Sequence, residues 1–192
     1  MARNVEIKAI LSDLRAAAAL SRALTGHDPE RIHQRDTFFM AKKGRLKLRE
    51  LDDRSELIQY ERPDQTGPKT SNYTIVRVAK SETAAMRLAL SRALGISGEV
   101  IKTRDLYLHG RTRIHLDRVE GLGDFLELEV VLKKGESESE GQREAEALMI
   151  KLGVTAADLL EGAYVDLIAT QAVALPESPP EKSESAAGDL AF

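Results

Sequence analysis

Residues 111–131 read RTRIHLDRVEGLGDFLELEVV, and both halves of this stretch alternate. Arg111, Arg113, His115 and Asp117 interleave with Thr112, Ile114, Leu116 and Arg118. Past the glycines, Glu127 and Glu129 interleave with Leu126, Leu128 and Val130. Successive side chains of a strand point to opposite faces, so the pattern predicts strands over 111–119 and 125–131. Gly121-Leu122-Gly123 is read as their hairpin. Half-exposed sheets ordinarily mix Thr, Ser, Lys and Glu on the wet side; here the polar face is almost wholly charged.

The same period recurs upstream. Asn4, Glu6 and Lys8 alternate with Val5, Ile7 and Ala9, and Arg45, Lys47 and Arg49 with Leu46 and Leu48. Ile58, Tyr60 and Arg62 alternate with Leu57, Gln59 and Glu61. Thr74–Val78 predicts another strand, and 100–108 places Lys102, Arg104 and Leu106 on one side. Three stretches switch to a helical period: Ser12–Leu24, Ser81–Leu94 and Ser139–Leu152, the first two stopped by Gly26 and Gly95. Shorter helical pieces are expected at 156–160 and 164–168. Either the charged sheet face meets bulk water, or the sheet closes around a polar interior with its apolar side outward. Amphipathic helices need an apolar sheet face to cover. The second arrangement follows: an α+β fold, a closed or nearly closed antiparallel barrel with a charged lumen and helices outside.

The chain has 192 residues, with 28 Lys and Arg against 31 Asp and Glu, a formal net charge of −3. That balance excludes a general nucleic-acid binder. The 42% of hydrophobic residues supplies a core, and the lack of cysteine removes disulfides, zinc–thiolate sites and thiol nucleophiles. No apolar run approaches the roughly 18 residues of a membrane span, and MARNVEIKAI has no signal-peptide core. A soluble, cytoplasmic protein without a membrane partner is expected, with a domain over 1–172 and a flexible acidic tail over 173–192. The mean charge hides an asymmetry. Residues 136–192 hold twelve acids and three bases, leaving the remainder at +6, and Arg31–Arg49 holds seven bases with one acid, Asp36.

Clustered Arg and Lys repel unless an anion neutralises them; Arg matches phosphate with a bidentate fork and Lys acts as a point charge. Carboxylates two apart on a strand point the same way and can share one Mg²⁺ or Mn²⁺. Glu127 and Glu129 have that spacing, as do Asn4 and Glu6 with an amide oxygen replacing one carboxylate. Bases for phosphates beside carboxylates for a cation are what phosphoryl or nucleotidyl transfer requires.

Singly, each feature has a plainer reading. Arg45-x-Lys47-x-Arg49 fits a solvated edge strand, Glu127-x-Glu129 an exposed face, and His115 a packed histidine; its two-residue spacing to Arg113 and Asp117 favours a lumen position, with no catalytic role assigned. The first gains weight from Lys102-x-Arg104, expected on a neighbouring strand. Residues 62–73 are expected to form a mobile hairpin loop at a tunnel mouth, where Lys69 and Ser71 either reach a substrate or, more simply, are solvated turn residues. Gly67-Pro-Lys-Thr70 lacks phosphate-loop spacing. The G-x-S-x-G, H-E-x-x-H and G-x-G-x-x-G motifs are missing too.

Asn4-Val5-Glu6-Ile7-Lys8 resembles the E-x-E-x-K opening strand of the CYTH family, the triphosphate tunnel metalloenzymes. The resemblance continues in family order through Arg45-Leu-Lys-Leu-Arg49, Tyr60-x-Arg62, Lys102-x-Arg104, Arg113-x-His115-x-Asp117 and Phe125-x-Glu127-x-Glu129. It implies an eight-stranded antiparallel tunnel that takes a triphosphate and a divalent metal, Mg²⁺ or Mn²⁺. It further implies that Lys8, Arg49, Arg62, Lys102 and Arg104 hold phosphate oxygens, supported by Arg45, Lys47 and Arg113. Glu6, Asp117, Glu127 and Glu129 would hold metal, and Glu6, Lys8 and Asp117 would serve catalysis. Asn4 departs from the family's usual Glu. The activity implied is most like a class IV adenylate cyclase, which makes cyclic AMP and pyrophosphate from ATP. Hydrolysis of tripolyphosphate or thiamine triphosphate, or a non-catalytic phosphate-binding module, stands as the alternative. A homodimer is left open.

Overall fold

The computed structural model describes residues 2–174. Among them, eight antiparallel strands close into one barrel: β1 (Ala2–Ile10), β2 (Glu30–Phe39), β3 (Arg45–Glu50), β4 (Ser55–Glu61), β5 (Lys69–Val78), β6 (Ile96–His109), β7 (Thr112–Val119) and β8 (Gly123–Val131). The order around the barrel is β1-β5-β4-β3-β2-β6-β7-β8, with β8 returning to β1. Closure leaves no sheet edge to aggregate. Four helices lie outside it: α1 (Leu14–Thr25), α2 (Thr83–Leu94), α3 (Glu138–Lys151) and α4 (Tyr164–Ala174).

The apolar phase of the alternation points outward. Val5, Ile7, Ile114, Leu116, Leu126, Leu128 and Val130 are buried beneath α1 and α3, against Ala17, Ala145, Leu148 and Leu152. Each such side chain contributes about 1.5–3 kcal/mol on burial, so this slab drives the inside-out arrangement. Met86 and Leu90 of α2 cover Phe39, Leu48 and Val78. The helix caps sit near their expected places: the Asp13 carboxylate accepts from the Arg15 and Ala16 N–H groups at 2.9 and 3.0 Å, and Ser137 caps α3. Gly121 and Gly123, with φ of 75° and 107°, make the β7–β8 turn.

Several expectations are corrected. Strand β2 escapes the alternation rule because Ile32, Gln34, Asp36 and Phe38 share a face of mixed polarity. Phe38 and Phe39 are both buried, one at the barrel's end and one beneath α2. Strand β2 also stands between β3 and β6, so Arg45-x-Lys47-x-Arg49 and Lys102-x-Arg104 are not on neighbouring strands. The basic run at 31–49 divides, with Arg31 and Arg35 pairing outside with Asp105 and Glu99 of β6. Strand β5 starts at Lys69, which faces Glu6 across the β1 ladder, while Ser71 faces Asn4. Both are buried rather than solvated turn residues. Arg111 precedes β7 and pairs with Glu136 and Glu144 instead of facing the lumen.

The start of α4 closes one end of the barrel. Ala163, Tyr164 and Val165 pack against Phe38, Val100, Val119 and Phe125. Gly98 permits this approach, since a Cβ there would stand 2.5 Å from a Val165 methyl. Of the tail expected from 173 onward, the described part is the end of α4; the remainder lies outside the described residues. No helix among the described residues is long and apolar enough to cross a membrane.

Candidate functional site

The lumen holds a cavity of about 150 Å³ to which all eight strands contribute. From the α4 end outward, β1 presents Lys8, Glu6 and Asn4, and β8 presents Glu127 and then Glu129. Lys47 and Arg49 of β3, Lys102 and Arg104 of β6, Arg62 just past β4, and Arg113 of β7 add to the wall. Seven lining side chains are basic and four (Glu6, Asp36, Glu127, Glu129) are acidic, an excess of three positive charges. The apolar remainder includes Phe38, Ile58, Tyr60, Tyr73, Ile75 and Val100. Depth can be read from exposure: Lys8 and Lys102 side chains are 2% and 3% exposed, against 44% for Arg113. The cavity is therefore closed at Lys8 and open towards Arg113 and Ile75.

At the closed end the side chains form one network. The Lys8 ammonium sits 3.1 Å from Glu127 and 3.5 Å from the centre of the Tyr164 ring, a cation–π contact. Burial pushes Lys8 below its ordinary value against the opposing pull of Glu127. Arg104 donates to both Asp117 oxygens at 2.6 Å and to Glu127 at 2.5 Å. Lys102 and the Tyr164 hydroxyl also donate to Asp117, at 2.6 and 3.1 Å. Burial pushes Asp117 up, but Arg104 and Lys102 outweigh it and hold the carboxyl well below the usual range. Glu127 behaves alike: burial raises it, and Lys8, Lys102 and Arg104 hold it ionised.

Across the lumen Asp36 plays the part of Asp117. It accepts from Lys47 at 2.7 Å, Arg49 at 3.0 Å and Gln34 at 3.0 Å. Asp36 and Asp117 are thus the counter-charges that let the bases pack. Lys47 remains pushed down to about 8, by burial first and the Arg49 charge second. Burial and Arg62 likewise bring Lys69 to about 8.

The expected residues divide in three. Glu6, Lys8, Lys47, Arg49, Arg62, Lys102, Arg104, Arg113, Glu127 and Glu129 line the one cavity. Asp117 lies behind it, fully buried and engaged by three donors. Arg45 stands outside the lining, bridging Asp64 and Asp166 at 2.9 and 2.7 Å. Of the four expected metal ligands, Glu127 and Glu129 come together, and with His115 they bring ligand atoms within 4.8 Å of one another. Glu6 pairs with Arg62.

Sequence reasoning missed Asp36 and Tyr164 altogether and set His115 aside. For His115 a signal existed, because a hairpin centred on Gly121 places it opposite Glu127. The donor set suits a divalent cation: two carboxylates and an imidazole whose buried Nδ1 has no hydrogen-bond partner.

Similarity to known proteins follows the barrel. A protein of Pyrococcus horikoshii superposes with a TM-score of 0.74 at 22% identity, over 85% of this chain and 98% of that one. A Vibrio parahaemolyticus protein named as a candidate adenylate cyclase gives 0.71 at 17%, over 86% and 97%. A Hippeastrum protein, named as a candidate adenylyl cyclase with a dominant triphosphatase activity, gives 0.61 at 15%, over 88% and 96%. No curated protein matches this sequence. The family model of the CYTH domain matches residues 2–164, from the first strand to the residue that closes the lumen. With its barrel, charged lumen and matched span, this chain belongs to the CYTH domain family.

Proposed function

We propose that the protein is a divalent-metal-dependent enzyme acting on a nucleoside triphosphate, cyclising ATP to cyclic AMP and pyrophosphate. One observation carries this reading: a single cavity joins a deep basic wall, carboxylates running from Glu127 at that wall to Glu129 nearer the mouth, and an apolar shelf. Lys8, Lys102, Arg62 and Lys47 would grip the β- and γ-phosphates as the leaving pyrophosphate. Glu127, Glu129 and His115 would hold Mg²⁺ or Mn²⁺, with Glu6 and Asn4 beside them. When bound, such an ion neutralises developing charge on phosphate oxygens.

Arg104 and Arg113 would face the α-phosphate, and Tyr73 and Ile75, towards the mouth, suit a nucleoside that inorganic tripolyphosphate lacks. Asp117 and Asp36 act by positioning the bases that touch substrate. Terminal-phosphate hydrolysis is the second reading, favoured by the name of the Hippeastrum structure. Offering ATP, tripolyphosphate and thiamine triphosphate with Mg²⁺ or Mn²⁺ and separating the products decides between them. Cyclic AMP plus pyrophosphate is the expected result; orthophosphate from tripolyphosphate with no cyclic AMP overturns cyclisation. No turnover with binding retained would leave a sensor.

The lysines set the pH dependence of metal-free binding. Lys47 faces Arg49 on β3, Asp36 on β2, Lys102 on β6 and the Phe38 and Tyr60 rings. It is charged below about pH 8 and neutral above. Triphosphate affinity should be level between about pH 7, above which the phosphates no longer titrate, and that point, and fall roughly tenfold by about pH 9. Bound triphosphate favours the ammonium, so binding near pH 8 should take up protons. Calorimetry in buffers of different ionisation enthalpy measures both, and proton release would contradict the assignment.

A further inference from the structure

We propose that His115 is a third metal ligand beside Glu127 and Glu129, and that this imidazole makes the site select a first-row transition ion such as Mn²⁺ over Mg²⁺. The inference rests on the lumen being the metal-dependent site argued above, and adds the identity of the cation it is built for.

The first observation is an unpaired atom. His115 is 3% exposed, and its Nδ1 has no hydrogen-bond partner. An unsatisfied buried polar atom costs about 1–3 kcal/mol, so a native protein keeps one where something else uses it. The second is spacing. His115 Nδ1 lies 3.9 Å from Glu127 Oε2 and 3.9 Å from Glu129 Oε1. That is beyond hydrogen-bond range, yet within the roughly 4.4 Å that two ligands bound about 2.0–2.2 Å from a common ion can span. The third is rigidity. Strands β7 and β8 pair His115 with Glu127 and Arg113 with Glu129, so adjacent ladder positions hold the three donors. Mg²⁺ takes oxygen ligands and retains its water, whereas imidazole suits transition ions. A site meant for Mg²⁺ alone has no use for a free imidazole nitrogen between two carboxylates.

The test uses the full chain without triphosphate. Mn²⁺ binding is followed by the electron paramagnetic resonance signal of free ion, and Mg²⁺ binding by competition. Wild type should bind Mn²⁺ at least about tenfold tighter than Mg²⁺. His115→Gln should lose at least about tenfold in Mn²⁺ affinity and under about threefold in Mg²⁺ affinity. Pulsed resonance should show coupling to a coordinated nitrogen in wild type and none in the variant. Equal losses for both ions, or no nitrogen coupling in wild type, would overturn the proposal. Should the variant fail to fold, the wild-type spectrum alone decides. Metal-free titration with tripolyphosphate on the same samples separates the two failures. Nitrogen coupling without phosphate binding upholds the ligand and sinks the triphosphate reading; phosphate binding without coupling sinks the ligand and leaves the triphosphate site standing.

Discussion

A Glu127→Gln variant should lose triphosphate turnover by about 10²–10³-fold while binding metal-free triphosphate at least as tightly as wild type. Glu127 is the carboxylate on which the site converges: 2.5 Å from Arg104, 3.1 Å from Lys8 and 4.0 Å from Lys102. It is also one of three donors in the candidate metal cluster. Glutamine keeps the volume and an acceptor for Arg104 but removes the charge. The lining then holds one more uncompensated positive charge, which favours a polyanion and repels a cation. Rate and affinity should therefore move in opposite directions, a signature that mere misfolding does not produce. Removing one partner of a buried pair costs about 3–5 kcal/mol, and the amide, which still hydrogen-bonds, costs less. Thermal unfolding and single-turnover kinetics on the same preparation check this. Unchanged turnover and metal dependence would remove Glu127 from the metal site.

A Lys8→Met variant should lose about 10- to 100-fold in triphosphate affinity without losing thermal stability. Lys8 is an ammonium under the Tyr164 ring with almost no contact to water. Burial, the largest influence on it, disfavours its charge, so the empty barrel bears a cost that only an anion offsets. Methionine fills the same space, and Glu127 keeps Arg104 and Lys102 as partners. Asp117→Asn is the contrast. It strips a counter-charge from Arg104 and Lys102 and should destabilise the fold. If Lys8→Met bound triphosphate normally, the deep end would not be a phosphate site.

Strands β1, β3, β7 and β8 were legible because their polar positions are almost all charged and their apolar positions almost all aliphatic, so the period of two survives. Strands β4 and β6 kept a weaker alternation, and β5 was read only from Thr74, since Lys69–Tyr73 carries no such contrast. Strand β2 was not, since its lumen face mixes Ile32, Gln34, Asp36 and Phe38 and its outer arginines blur the contrast. The cost of missing it was Asp36, without which Lys47 and Arg49 have no counter-charge. Tyr164 was illegible for another reason. Its place over Lys8 is made by α4 folding back across the barrel's end, a contact between residues 156 positions apart. Arg45 and Asp117 were placed on the right strand face, but local period cannot tell the cavity wall from its rim or backing.

The central claim is that the charged lumen binds a triphosphate. Its most direct test is a calorimetric titration of wild-type protein with tripolyphosphate, without metal, at rising salt. Tripolyphosphate should bind at one site, with an affinity that weakens with salt and falls about 10- to 100-fold in Lys8→Met. Absence of binding, or binding indifferent to Lys8, would contradict it.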